Sequence, residues 1–276
     1  MTGYRKASRQ EPLEPRVPAA RLIPYAMMSR FLHGPSTSAG DSLIVRRFVS
    51  LLFIFAAIFG LSFALSAAYS SQNHGSLTLD NVLAHLDDSA KNFHGLSADV
   101  ERTKVTVVVN DRSTEAGSIL VRGERMLLDL KTPDPRTILR SGDNLFIYEP
   151  GLKRVEEFNL GKNRGLVDQF LLLGFGTGGK ELRRGYGITL VGEAPLDDRK
   201  TVELELAPKS EDVLKQFSKI QIWFDQSSWL PVQQQLFEAG SGDYMIVHYS
   251  KMVRNPNIPD SAFKPRWPKG TEKIKH

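Results

Sequence analysis

The 276-residue sequence contains no cysteine. It therefore forms no disulfide bonds and offers no thiol for lipid attachment at the end of a leader peptide. Thiolate metal sites are excluded as well. The histidines beyond residue 69 show no metal-binding spacing such as H-x-x-x-H, so we expect no metal; they are His74, His85, His94, His248 and His276. A body of about 200 residues can form a sufficient apolar core without disulfides.

An excess of positive charge is absent from most of the chain. The formal net charge is +5, but residues 1–68 hold eight of the 36 Lys or Arg and three of the 31 Asp or Glu, which leaves 28 of each in residues 69–276. The basic character therefore belongs to the N-terminal part. The remaining surface is expected to be mixed in sign, and this balance predicts no nucleic-acid partner.

Charged residues are also missing from residues 48–68, an apolar run that directly follows Arg46 and Arg47. A basic start, an apolar middle and small residues at the end are typical of a secretory signal peptide. We therefore predict a signal peptide over 46–68, cleaved after Ala68. The run is also long enough to cross a bilayer, so an uncleaved inner-membrane anchor is the alternative.

Residues 1–45 are rich in Arg, Pro and Ser and have no apolar periodicity. They are predicted to be disordered, or to be an extension created by a gene start placed too early, since Met27 or Met28 would begin a more ordinary signal peptide. The folded domain is predicted to occupy 69–276.

The stretch LLLGFGTGGKEL, residues 171–182, matches G-x-G-x-x-G and the beginning of G-x-x-x-x-G-K. The first nucleotide-binding pattern requires a buried strand before the glycines, whereas the preceding residues look helical. The second requires Ser or Thr after the lysine to hold magnesium, and Glu181 stands there. ATP and NAD are also scarce outside the cytoplasm. We expect a helix over 166–173, ended by glycine and followed by a flexible loop, and no cofactor.

Apolar periodicity predicts an α-helix that is capped by Thr78 and ends at Gly95. Short segments separated by turn residues follow, which indicates an antiparallel meander with one further helix, at 166–173. The predicted strands are 96–111, 113–123, 125–130, 136–142, 144–150, 153–158, 187–194, 201–208, 219–225, 230–239 and 243–252. About eleven strands in one sheet are expected to curl, and helices at the mouth would then enclose an apolar space. The fold class is mainly β with helices (α+β).

No group of residues suited to catalysis emerges. Asp87 and Asp88, like Asp197 and Asp198, are adjacent in sequence, so their carboxylates point apart. Ser241 lies in Ala-Gly-Ser-Gly-Asp, which is not the G-x-S-x-G elbow and is typical of a hairpin loop. We therefore expect a protein that is not an enzyme.

Several elements together resemble a known family. They are the export signal, the first amphipathic helix, a long first strand, a glycine-led second strand (GSILVR, 117–122), the strand SGDNLFIYEP (141–150), the apolar helix before the glycine stretch, and the ending IPDSAFKP (258–265). In this order they resemble the LolA-type periplasmic carriers of outer-membrane lipoproteins, over residues 75–270.

The resemblance implies a single curled antiparallel sheet that forms an unclosed half-barrel lidded by helices. It implies a monomeric periplasmic chaperone that binds the acyl chains of lipidated lipoproteins in an apolar cavity. The carrier would accept them from an inner-membrane lipoprotein-releasing ABC transporter and pass them to an outer-membrane receptor. Other readings of the same fold are a periplasmic lipid or hydrophobe binder and an envelope-stress sensor.

Candidate site residues follow from the apolar strands and the resemblance. The walls of the acyl-chain cavity are predicted to include Leu128, Leu130, Ile138, Phe146, Tyr148 and Trp223, and the lid Leu171, Leu172 and Phe175. The alternative for each is ordinary core packing. Family carriers have a basic residue followed by proline at the end of the second strand; Arg122 is the candidate handover residue here, although Gly123 follows it.

Overall fold

The computed structural model describes residues 77–161, 164–165 and 172–276. The predicted leader, and residues 166–171 of the predicted second helix, lie outside these ranges. The strands are β1 Leu96–Thr106, β2 Asp111–Arg122, β3 Arg125–Thr132, β4 Arg136–Ser141, β5 Asn144–Glu149, β6 Arg154–Asn159, β7 Tyr186–Glu193, β8 Thr201–Pro208, β9 Phe217–Asp225, β10 Pro231–Glu238, β11 Tyr244–Arg254 and β12 Glu272–Lys275. The helices are α1 Leu79–Lys91, α2 Gly179–Gly185 and α3 Glu211–Leu214, with 3₁₀ turns at Pro150–Leu152 and Asp260–Phe263.

All twelve strands form one sheet in the order β12-β6-β5-β4-β3-β2-β1-β11-β10-β9-β8-β7. Neighbouring strands are antiparallel, except that β12 runs parallel to β6. The two end strands, β12 and β7, do not pair with each other, so the sheet is not closed. The predicted fold class, mainly β with a few helices and a single unclosed sheet, is confirmed. The sheet is mixed rather than purely antiparallel, because β12, a strand that was not predicted, runs parallel to β6.

Alternation places most of the apolar side chains on one side of the sheet, called the inner face here. On β8, Val202, Leu204 and Leu206 are fully buried, while Glu203 and Glu205 between them are half-buried on the opposite side, the outer face. β9 alternates in the same way. A sheet with one face on a core and the other toward water shows this pattern.

Helix α1 covers part of the inner face. The side-chain oxygen of Thr78 accepts a hydrogen bond from the backbone N–H of Asn81 and caps the helix, as predicted. Val82, Leu83 and Leu86 recur along one face of the helix and are buried in the same cluster as the inner-face residues of the sheet. The helix ends at Lys91 rather than Gly95. None of the described helices is long and apolar enough to span a bilayer.

Other elements also differ from the prediction. β1 ends at Thr106, and residues 107–110 form the turn, in which Asn110 adopts a positive φ of 51°. The valines of the turn have high strand propensity, but they have no partner strand there. The loop that follows Leu173 ends at Gly178, and residues 179–185 form the helix α2, which was not predicted. The C-terminal residues Glu272–Lys275 add the short parallel strand β12, which depends on the exposed edge of β6 and not on an apolar pattern of its own.

Candidate functional site

Three of the six predicted cavity residues lie together on the inner face. Leu128, Leu130 and Ile138 are fully buried and belong to the main apolar cluster. Leu128 is the cross-strand partner of Ile138 on β4 and of Ile119 on β2. Cross-strand partners project to the same side of a sheet, so these residues form one continuous apolar surface.

The other three do not join them. Phe146 and Tyr148 project to the outer face, because Leu145 and Ile147 occupy the inner face of the same strand. Trp223 is half-buried on the outer face, between Ile222 and Phe224 of the inner cluster. The predicted grouping of all six residues in one cavity is therefore corrected: β5 is apolar on both sides, and its sequence did not show which set faces inward.

The outer face of β4 and β5 has its own apolar cluster, formed by Leu139, Phe146, Tyr148, Val155, Ile258 and Phe263. The C-terminal segment covers it. The Trp267 ring lies with its centroid 5.0 Å from that of Tyr148 and 6.0 Å from that of Phe146. The predicted Phe and Pro ending thus packs against the outside of the sheet.

A group of buried charges lies at one end of the inner face and was missed from the sequence. Arg102 Nη1 lies 3.2 Å from one carboxylate oxygen of Glu115, and Arg136 Nη2 lies 2.6 Å from the other. Burial lowers the pKa of Arg102 to about 10, against the opposing effect of Glu115, so the guanidinium remains charged at neutral pH. The sequence does contain one signal for this group. Arg102 follows Ala98 and Val100 at every second position of β1, and these residues face inward.

The interior beside these charges is closely packed. The enclosed space lined by Val100, Arg102, Ile119, Met126, Leu128, Gln234, Leu236, Met245, Val247 and Tyr249 is about 20 Å³. Such a volume holds about one water molecule. This part of the inner face is thus filled by its own side chains, and an acyl chain would enter it only by displacing some of them.

A larger cleft of about 430 Å³ opens beside the glycine-rich stretch. It is lined by Phe93, Gly123, Glu124, Gly165, Leu172, Leu173, Phe175, Gly176, Thr177, Glu181, Leu182 and Tyr186. Its volume is within the range of small-molecule sites. Two of the predicted lid residues line it: Leu172 is half-buried against the main cluster, and Phe175 is buried with its ring edge-on to Tyr249 at 5.0 Å. Leu171 lies outside the described residues.

The glycines of this stretch have structural roles. Gly176 has a φ of +73°, and a Cβ there would lie 2.4 Å from the Phe93 ring. A Cβ on Gly179 would lie 2.5 Å from the backbone oxygen of Leu83, so α1 and α2 approach too closely for any side chain. Asp87 of α1 accepts a hydrogen bond from the backbone N–H of Lys180. A carboxylate therefore occupies the position where a nucleotide-binding helix would receive phosphate.

Arg122 is tied to the C-terminal segment. It donates hydrogen bonds to the backbone oxygen of Ile258 and to the carboxylate of Asp260. Its guanidinium also lies over the Phe263 ring, 5.6 Å from the centroid. Arg125 binds the same carboxylate at 2.8 Å. The candidate handover residue thus holds the IPDSAF segment on the outer side of the sheet.

Among the described residues, no group of histidine, aspartate or glutamate side chains is arranged to hold a metal ion. Asp87 and Asp88 lie on α1, and Asp197 and Asp198 lie in a turn, as the sequence indicated. His248 Nε2 lies 3.0 Å from a carboxylate oxygen of Asp197, as a pair rather than a cluster.

The chain is similar in sequence to proteins named outer-membrane lipoprotein carriers. A protein-family model described as "Uncharacterized protein" matches residues 124–253. A protein of Dechloromonas aromatica named outer-membrane lipoprotein carrier protein is 24% identical over 200 residues, which cover 70% of this chain and 90% of that protein. A protein of the same name from Cupriavidus pinatubonensis is 29% identical over 144 residues, or 52% of this chain and 61% of the relative.

Among solved structures, a LolA superfamily protein of Nitrosomonas europaea matches with a TM-score of 0.37 and 16% identity, over 69% of this chain and 99% of that one. The resemblance to lipoprotein carriers that the sequence predicted is confirmed by the names of the two sequence relatives.

Proposed function

We propose that this protein is a periplasmic carrier that binds the acyl chains of lipoproteins and moves them from the inner to the outer membrane. The observation that carries the proposal is the alignment with a lipoprotein carrier over 90% of that relative's length. The continuous apolar inner face supports it, and so does the export signal predicted at 46–68. An inner-membrane ABC transporter as donor and an outer-membrane receptor as acceptor belong to the same proposal.

Binding would exchange one set of apolar contacts for another. An acyl chain gains about 0.8 kcal/mol for each CH₂ group removed from water. The filled inner face supplies that surface once α1 and residues 172–175 move off the sheet. Both are attached by side-chain packing and a few polar links, such as Arg254 Nη1 to Ser89 Oγ at 3.0 Å and Gln234 Nε2 to the backbone oxygen of Leu173 at 2.7 Å. Neither belongs to the strand ladder, so their movement breaks no sheet hydrogen bonds.

The test is to purify the protein from its native envelope and to identify bound molecules by mass spectrometry. Acylated lipoproteins are expected in stoichiometric amounts. If free phospholipids or other hydrophobic molecules are bound instead, the protein is a lipid-binding protein rather than a lipoprotein carrier. A bound regulatory protein would indicate a sensor. Added back to inner-membrane vesicles, the wild-type protein is expected to release newly made lipoprotein into solution. Absence of release, together with absence of bound lipoprotein, would overturn the proposal.

A further inference from the structure

Tyr186, the first residue of β7, is 4% exposed, and its hydroxyl has no hydrogen-bond partner among the described residues. A buried hydroxyl without a partner costs about 1–3 kcal/mol, so native proteins seldom retain one without a use. Phenylalanine would fill the same space without that cost. Packing therefore does not explain why this position holds tyrosine rather than phenylalanine.

The surroundings of Tyr186 suggest a ligand. The residue lines the cleft of about 430 Å³ beside the glycine-rich stretch. Most of the other side chains around it are apolar: Phe93, Leu172, Leu173, Phe175 and Leu182. The hydroxyl of Thr177, another polar group in the lining, is already engaged, since it donates to the backbone oxygen of Leu172 at 3.2 Å. The Tyr186 hydroxyl thus remains as an uncommitted donor beside an apolar surface.

Charges at the rim restrict what can bind. Glu124 and Glu181 are exposed and line the cleft. Glu124 is paired with Arg164, whose guanidinium also lies 3.1 Å from a carboxylate oxygen of Asp143. Two carboxylates thus contact one guanidinium, and the carboxylate of Glu181 is a further exposed negative charge in the lining of the cleft. An anionic head group would be repelled, whereas an uncharged acceptor on an apolar chain suits both the rim and the buried donor.

We propose that this cleft binds an uncharged acyl ester, and that the Tyr186 hydroxyl donates a hydrogen bond to its carbonyl oxygen. The acyl chain lies against Phe93, Leu172 and Phe175, and the uncharged glycerol end lies toward Glu181. This inference rests on the proposed function for the lipid class and adds the chemical group by which the site selects its ligand. Tyr186 is a specificity-determining residue because it separates esters from plain hydrocarbons and from fatty-acid anions.

The test compares two probes of equal chain length, 1-monopalmitoylglycerol, which has an ester carbonyl, and 1-O-hexadecylglycerol, which has an ether oxygen instead. Binding is measured by calorimetry on wild-type protein, Tyr186→Phe and Tyr244→Phe, the last being a control outside the cleft. Wild type and Tyr244→Phe are expected to prefer the ester by about two- to tenfold, the value of one net hydrogen bond. Tyr186→Phe should bind both probes with the affinity that wild type has for the ether. Palmitate should bind wild type more weakly than the ester.

The stability of the unliganded protein separates this role from a structural one. Tyr186→Phe removes a donor that has no partner, so its urea midpoint should equal or exceed that of wild type. A lower midpoint, or an ester preference that survives in Tyr186→Phe, would overturn the inference. If wild type binds both probes equally, or binds neither, the inference fails; the proposed function fails only if bound lipoprotein and lipoprotein release are also absent. Mass spectrometry of lipids bound to wild type but lost from Tyr186→Phe then identifies the source, an acylated lipoprotein or a free acylglycerol.

Discussion

The carboxylate of Asp87 on α1 accepts a hydrogen bond from the backbone N–H of Lys180 on α2, with 3.1 Å between oxygen and nitrogen. The contact joins two helices through residues that are 93 positions apart in sequence. It satisfies one of the free N–H groups at the start of α2, which a capping side chain of that helix would otherwise serve. The glycine-rich stretch is thus held in place by a side chain of α1.

Asp87→Ala should therefore loosen α2. We expect a loss of about 1 kcal/mol in the free energy of unfolding, as for a missing helix cap, measured by urea denaturation. Asp88→Ala is the control: Asp88 is fully exposed and pairs only with Lys91 among the described residues, so no change is expected. Calorimetric titration of wild type with Mg-ATP or NAD should show no heat of binding. Micromolar affinity for either would contradict the role assigned to Asp87.

Glu115→Gln should destabilise the fold strongly. The substitution keeps the size of the side chain but leaves the buried guanidinium groups of Arg102 and Arg136 without the carboxylate that both contact. Removing one partner of a buried ion pair costs about 3–5 kcal/mol. The control is Glu205→Gln, which breaks a more exposed pair with Lys219 and should cost no more than about 1 kcal/mol. Equal effects of the two substitutions in urea denaturation would contradict a tightly buried group.

Trp267→Ala should uncover the outer apolar cluster. The indole is only partly buried, so we expect a loss of about 1.5–3 kcal/mol, less than for a fully buried tryptophan. Binding of a hydrophobic dye such as ANS should rise as Phe146 and Tyr148 become exposed. Lys269→Ala, an exposed position on the same segment, should leave both the urea midpoint and dye binding unchanged. A dye signal equal to that of wild type would show that the segment does not cover the cluster.

Leu172→Asp tests the candidate lid residue. Leu172 is half-buried beside the cleft, so the charged side chain can turn toward solvent while the fold persists. We expect a cooperative thermal melt together with a marked loss of lipoprotein release from inner-membrane vesicles. Leu152→Asp, on a surface turn at 61% exposure, adds the same charge and should release lipoprotein normally. A folded Leu172→Asp protein with normal release would remove Leu172 from the site; an unfolded one would assign it to the core.

Tyr186 also predicts a pH dependence. Burial raises the pKa of its hydroxyl to about 12, whereas the unfolded chain has the ordinary value of about 10. The unfolded state therefore loses its proton first, so this residue's contribution is complete below pH 10 and is lost as the pH rises toward 12. The stability of wild type should fall relative to Tyr186→Phe between pH 10 and pH 12 in urea denaturation. Parallel curves for the two proteins would contradict the assignment.

The strands with strict alternation were predictable because each has one apolar face and one polar face. Val202, Leu204 and Leu206 show this on β8, and their burial follows directly. β5 gave no such guidance: Leu145, Phe146, Ile147 and Tyr148 are all apolar and all buried, so only the register with β4 and β6 shows which pair faces inward. Phe146 and Tyr148 were therefore placed on the wrong face. Trp223 was misplaced as well, although the alternation on β9 puts it on the outer face.

The features that escaped prediction depend on contacts distant in sequence. α2 is short and begins with glycine, and it is held by Asp87 and by packing on Leu83 rather than by its own propensity. Alternation on β1 shows that Arg102 faces inward, but its partner Glu115 is found only when β1 and β2 pair. Tyr186 resembles any strand tyrosine, and only the three-dimensional structure shows that its hydroxyl has no partner among the described residues.

β12 has a consequence for the behaviour of the protein at high concentration. An open sheet ends in unpaired N–H and C=O groups, which invite strands of other molecules and lead to aggregation. Here β12 occupies the edge of β6 with four residues, and Glu272, Lys273 and Lys275 are exposed along it. A further strand added at this edge would bring its own backbone against these charges and pair over only a few residues. The C-terminal segment thus covers an edge of the sheet that would otherwise be open to strands of other molecules.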